Sequence, residues 1–155
     1  MEGSVRKRSA GLVLLALPVL FNLILLSQEM IVGVQPVNDH LLHQAASQRA
    51  GEALFSGENP LDAWVGDFSL GYPLWPSYPP LPHFVTGVLS RLASPFAEPS
   101  TIFLLLHYLL LSLLPAAFFL LAWEFGLGWI ASGAAEALSI TLSGAEQFGR
   151  FGLGY

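Results

Sequence analysis

The sequence predicts an all-α membrane protein, with three transmembrane helices and a large outer loop that carries two short surface helices. Three observations predict it. Of the 155 residues 54% are hydrophobic and only 11% charged, whereas a soluble domain carries about 25% charged residues. The apolar residues lie in long uninterrupted runs. Arg6, Lys7 and Arg8, half of the six basic residues, stand together ahead of the first run. Eleven acids against six bases give a formal charge of −5, which excludes a nucleic-acid partner. The absence of cysteine excludes a disulfide scaffold, cysteine zinc sites and a thiol nucleophile.

Residues 1–10 form a basic tail, and residues 11–28 the first span. Twenty helical residues rise about 30 Å, the thickness of the hydrocarbon core. A basic flank before an apolar run is also the form of a cleaved signal peptide. Against that, the run is long for a signal core and no small-x-small site follows Leu26. The positive-inside rule puts the amino terminus in the cytoplasm of a multi-pass plasma or inner membrane protein.

Residues 29–98 are then outside. They hold the acids Glu29, Asp39, Glu52, Glu58, Asp62, Asp67 and Glu98 against Arg49 and Arg91. They are too rich in aromatic and aliphatic residues to be disordered. His40 to Phe55 has helix-forming composition and is stopped by Gly57, Asn59 and Pro60. Pro82 to Leu92 reads as a second short helix with proline in its first turn. Neither is long enough to cross, so both are expected flat on the outer membrane surface.

Residues 99–123 form the second span, with a kink expected at Pro115. A tight cytoplasmic turn over 124–128 leads to the third span, 129–145. Ala131, Ser132, Gly133, Ala134 and Ala135 let neighbouring helices approach it closely. Residues 146–155 return outside, and the whole is expected to be the amino-terminal piece of a larger bundle whose remaining helices cover the third span. The genomic sequence downstream of Tyr155 decides that point.

Three places carry candidate chemistry. Asp39 and His43 are four apart, hence on one face of a helix that begins near Asn38. A carboxylate and an imidazole at that spacing bind a divalent cation or act as an oriented base pair. Equally, Asn38 or Asp39 is an ordinary helix N-cap. The second place follows Asp67, where prolines recur at 73, 76, 79 and 82 and Tyr72, Trp75 and Tyr78 precede the first three. Polyproline II has three residues per turn, so these rings would line one side of an extended rod. Such a ladder suits stacking on a sugar or a lipid headgroup; an interfacial aromatic belt is the plainer account. Asp39 and His43 are expected to face one cavity with Asp67, beneath this segment. The third place is Glu136, an intramembrane carboxylate with Ser132, Ser139 and Thr141 near it in sequence. His107 has no acidic neighbour in sequence and reads as a neutral packing residue.

The order of these features resembles the large bacterial and archaeal membrane proteins known as "6-pyruvoyl-tetrahydropterin synthase related". More broadly it is similar to the amino-terminal part of GT-C-type glycosyltransferases. The residues that carry the likeness are Asp39 with His43, and the stretch from Gly71 through Tyr72, Pro73 and Leu74 to Ser77, Tyr78, Pro79, Pro80, Leu81 and Pro82. The resemblance implies sugar transfer from a polyprenyl-phosphate donor on the outer face. It gives Asp39 a place near the metal or as base toward the acceptor. His40 and His43 stand beside it, and Asp67 serves as a second acid. It also implies substrate contacts from His40, Tyr72, Trp75 and Tyr78, and a divalent cation, Mg or Mn, on Asp39. The same features fit a non-catalytic integral membrane protein, such as a transporter or envelope-assembly subunit. A compartment reporter fused after Gly57 is expected to read the outer side; cytoplasmic activity there overturns the topology and the site with it.

Overall fold

The computed structural model describes residues 2–32, 40–62, 64–66, 71–73, 75 and 79–143, with backbone alone at 2–8, 29, 31–32, 40, 62, 72 and 141–143. The chain is mainly helical. Its elements are α1 (Glu2–Val32), α2 (His40–Ser56), a 3-10 turn (Pro60–Asp62), β1 (Trp64–Val65), β2 (Tyr72–Pro73), α3 (Pro80–Ala93), α4 (Pro99–Glu124) and α5 (Gly128–Ser143). Two helices are long and apolar enough to cross a membrane, Ser9–Gln28 within α1 and Pro99–Glu124. α5 has 16 residues and therefore rises about 24 Å, short of the full hydrocarbon thickness expected for a third span. The end of that expected span and the segment after it lie outside the described residues.

The chain forms two compact units, Met1–Val34 with His107–Tyr155, and Gln35–Leu106. In the first, α1 and α5 pack with their contacts advancing in the same direction. A Cβ on Gly11 would lie 2.6 Å from the Trp129 ring, and one on Gly133 2.7 Å from Leu14. The two helices are parallel. α4 runs the other way: Asn22 Nδ2 donates to the Leu111 carbonyl at 3.2 Å, while Phe119 and Trp123 meet Trp129 at the opposite end. The first of these contacts has a local cause. Pro115 stands inside α4 and has no N–H for the carbonyl four residues before it, which is that of Leu111. Asn22 supplies the missing donor from α1. α4 continues helical through Pro115.

Besides Leu26 and Phe119, the inward faces of this unit are mostly small or polar. They include Pro18, Asn22, Ser112, Pro115, Ser132, Gly133 and Glu136, whereas Val13, Leu17, Ile24, Leu110, Leu120 and Leu138 point outward. Small and polar inside with leucine outside is the order expected of helices that pack in lipid, where burying leucine gains nothing.

The second unit is built on α2 and α3. Their buried faces are Ala46, Ser47, Ala50, Gly51 and Ala53 on one side, and His83, Gly87 and Ser90 on the other. A Cβ on Gly87 would lie 2.2 Å from the Ser47 carbonyl oxygen, and one on Gly51 2.7 Å from the Gly87 carbonyl oxygen. Only glycine at these positions lets the backbones come this close. α2 ends as its composition predicts, with Gly57 at φ +77° and the Glu58 N–H bonding back to the Ala53 carbonyl at 2.9 Å.

Two features were not legible in the sequence. β1 and β2 pair antiparallel, Trp64 opposite Pro73 and Val65 opposite Tyr72, which places Val65 against Ala46. α3 starts at Pro80, so Pro82 lies inside its first turn. The expected period-three rod is thus cut short. Tyr72 belongs to a strand, Trp75 to a turn and Pro82 to a helix, while Pro79 keeps an extended backbone (φ −64°, ψ 124°). The reason is positional, since proline is readily accepted in the first helical turn.

Gly87→Ala gains about 1 kcal/mol of helix propensity but forces the helices apart. A net loss of about 1–3 kcal/mol is expected in denaturant unfolding of the full chain in micelles. Gln48→Ala, on the exposed side of α2, should stay within about 0.5 kcal/mol. Equal effects would contradict the close approach.

Candidate functional site

Because the contacts of α2 and α3 advance together, their first turns meet. His43 Nδ1 and His83 Nε2 are 2.9 Å apart, with ring centroids at 5.2 Å and planes at 35°. His83 Nδ1 lies 3.1 Å from the Pro79 carbonyl oxygen. A carbonyl only accepts, so His83 Nδ1 carries the hydrogen and donates. Nε2 of neutral His83 is then an acceptor. It follows that His43 donates from Nδ1, so that in a neutral His43 the basic nitrogen is Nε2. One backbone oxygen sets the tautomer of two imidazoles.

His83 is buried. Desolvation holds its imidazole below the usual histidine value, helped by the neighbouring His43 and opposed by the bond to Pro79. Protonating His83 would also put a second donor against His43 Nδ1, so the neutral form is the one that maintains the pair. Trp75 closes one side, edge-on to His83 at 5.4 Å and to Phe84 at 5.1 Å. Its Nε1 is buried without a hydrogen-bond partner among the described residues. Trp75 packs against the cluster of Ala46 and Val65, as do Leu42 and Ala45 of α2.

A charged clasp fixes the other end of α2. Arg49 pairs with Glu58 and donates from Nε to the Trp64 carbonyl at 3.2 Å. Ser56 Oγ donates to Glu58 at 3.1 Å. The Arg49 guanidinium, with Ser56, keeps the Glu58 carboxyl below its ordinary range.

Of the residues singled out in the sequence, the structure brings His43 and Trp75 together through His83. Asp39, Asp67 and Tyr78 lie outside the described residues, as do the side chains of His40 and Tyr72. The expected cavity shared by Asp39, His43 and Asp67 falls with them. Trp75 packs within the unit instead of standing on an open ladder. His83 was missed, although a signal existed. His43, Ser47 and Gly51 are spaced by four, as are His83 and Gly87, so each histidine heads a small-residue stripe. Among the described residues no three His, Cys, Asp or Glu side chains come together as a metal site. Both nitrogens of His83 are already engaged. These residues alone do not make the divalent-cation site that the resemblance implies.

No family model matches the chain, and no curated protein or solved structure matches it either.

The depressed value of His83 sets a pH dependence. The unfolded chain takes up its proton near 6.5, before the folded chain does. Stability from this group is therefore complete above about 6.5 and is lost as pH falls below it. Unfolding of the full chain in micelles is expected to weaken with acid in this range more steeply than that of His83→Gln. Parallel curves would contradict a neutral, buried His83.

Proposed function

We propose that the protein is a membrane glycosyltransferase-like enzyme that moves a sugar from a polyprenyl-phosphate-type donor to an acceptor hydroxyl on the outer face of the plasma or inner membrane. The observation that supports this reading is the oriented imidazole pair of His43 and His83 beside Trp75. Two apolar helices supply the membrane setting. In this reading the amino terminus is cytoplasmic, residues 29–98 are outside and α5 is the third span of a GT-C-like bundle.

The proton step follows from the tautomers. The acceptor hydroxyl gives its proton to His43 Nε2 as its oxygen attacks the anomeric carbon. The carbon–oxygen bond to the phosphate breaks, and its electron pair leaves on the polyprenyl phosphate. The imidazolium so formed still donates from Nδ1 to His83 Nε2, now through a charge-assisted bond. His83 cannot take the proton without giving up that acceptor. His43 is thus the general base and His83 a positioning residue. In this reading Asp39 would hold a divalent cation or assist as a base, Asp67 is a second acid, and His40, Tyr72, Trp75 and Tyr78 serve the substrate. No part of the proton step runs through the cation.

His43→Gln is expected to lower the glycosylated product in membranes by about 10²–10⁴-fold, the usual contribution of a general base, at unchanged protein level. Asp39→Ala should also remove product. His83→Gln should lower the rate less and move its pH profile, because it disturbs the tautomer and not the reacting nitrogen. Unchanged product in both His43→Gln and Asp39→Ala would leave a non-catalytic membrane protein.

A further inference from the structure

We propose that Glu136, flanked along the helices by Ser132 on one side and by Asn22 and Ser112 on the other, is the centre of an exchangeable site for one small monovalent cation, H⁺ or Na⁺, inside the unit formed by α1, α4 and α5. The proposal concerns the other compact unit and is independent of the imidazole pair. Glu136 has 0% exposure, and neither carboxylate oxygen has a hydrogen-bond partner among the described residues. Three further buried oxygens share that condition, Ser132 Oγ, Asn22 Oδ1 and Ser112 Oγ. A buried polar oxygen without a partner is costly. Four such side chains in one small unit point to something that supplies positive charge or donors.

Helix register spreads them over about two turns centred on Glu136. Gly11 meets Trp129 and Leu14 meets Gly133, so one turn further on Glu136 falls beside Pro18, the middle of the apolar run Ser9–Gln28. Ser132 is one turn before Glu136 on the same buried face of α5. Asn22 is one turn beyond Pro18, and its amide holds the carbonyl of Leu111, next to Ser112. Ser139 is not part of the site, since its hydroxyl is committed to the Glu136 backbone carbonyl at 2.6 Å.

Among the described side chains of the unit no cation neutralises the carboxylate. There is no Lys or Arg from Ser9 to Gln28, in α4 or in α5. α1 has no titratable side chain over that range, and α5 has only Glu136. On α4 the titratable groups are His107, Tyr108 and Glu124. Tyr108 spends its hydroxyl on the Leu23 carbonyl at 2.8 Å, His107 sits one turn before Leu111, and Glu124 is exposed at the helix end. One negative charge among neutral hydroxyl and amide oxygens balances one monovalent cation. A divalent ion would leave net charge in an apolar setting. Oxygen-only donors suit a hard ion, and a carboxylate at this depth is expected to serve function.

The test uses the full chain in lipid nanodiscs, followed by infrared spectroscopy of the carboxylic C=O band and by thermal unfolding in sodium chloride against choline chloride. A band that Glu136→Gln removes, and that fades as pH rises in both salts, identifies the proton as the cation. Stabilisation by sodium that is absent in Glu136→Gln and reduced in Ser132→Ala identifies Na⁺. The proposal is overturned by a Glu136 band that changes with neither pH nor sodium, or by no such band together with no sodium effect. Should Glu136→Gln not fold, an unaltered sodium and pH response in Ser132→Ala and Asn22→Ser would overturn it equally.

Discussion

The close approach of α2 and α3 at Ser47, Gly51 and Gly87 is the constraint on which the outer unit depends. Two parallel helices at this separation cannot be joined by a tight turn, because the chain leaves one at its far end and must re-enter the other at the near end. α2 has 17 residues and so spans about 25 Å, and the connection has to travel back along it. That return path carries β1, β2 and Trp75. The geometry that presses His83 onto His43 therefore also delivers the aromatic segment to the same place. Arg49 secures the path where it leaves α2, through Glu58 and the Trp64 carbonyl.

Proline acts twice as a source of anchor points. At the start of α3, Pro80 and Pro82 lack two of the amide donors that a helix start would otherwise leave without partners. α3 needs no side-chain cap and has none. The Pro79 carbonyl, just ahead, fixes the tautomer of His83. In α4, Pro115 releases the Leu111 carbonyl, which Asn22 claims from α1. Each proline removes a routine backbone bond, and a side chain from elsewhere takes up a specific one.

The helices were legible because their signals are strong and local. Apolar runs mark α1 and α4, and Gly57 with Asn59 and Pro60 marks the end of α2. Pro80 was misjudged by two residues because a proline ladder and a proline-led helix start look alike in sequence. The β1–β2 pair was illegible for a different reason: two-residue strands leave no periodicity. The site was half visible. His43 and Trp75 stand out by type and spacing, whereas His83 gains meaning only when α2 and α3 are laid parallel. That packing is a tertiary fact. The inward polarity of the other unit was readable at Glu136, but Asn22 sits inside the first apolar run, where its partner could not be foreseen without the register against Pro115.

The bond between Asn22 and Leu111 joins positions 89 residues apart. At a synthesis rate of about 5–20 residues per second, Asn22 is made roughly 4–18 seconds before Leu111. Throughout that interval Asn22 has an amide and no α4 to give it to. When α4 arrives, its own vacant carbonyl meets that amide. The pairing therefore meets two needs at once, since the Leu111 carbonyl lacks its helical donor and the Asn22 side chain is buried.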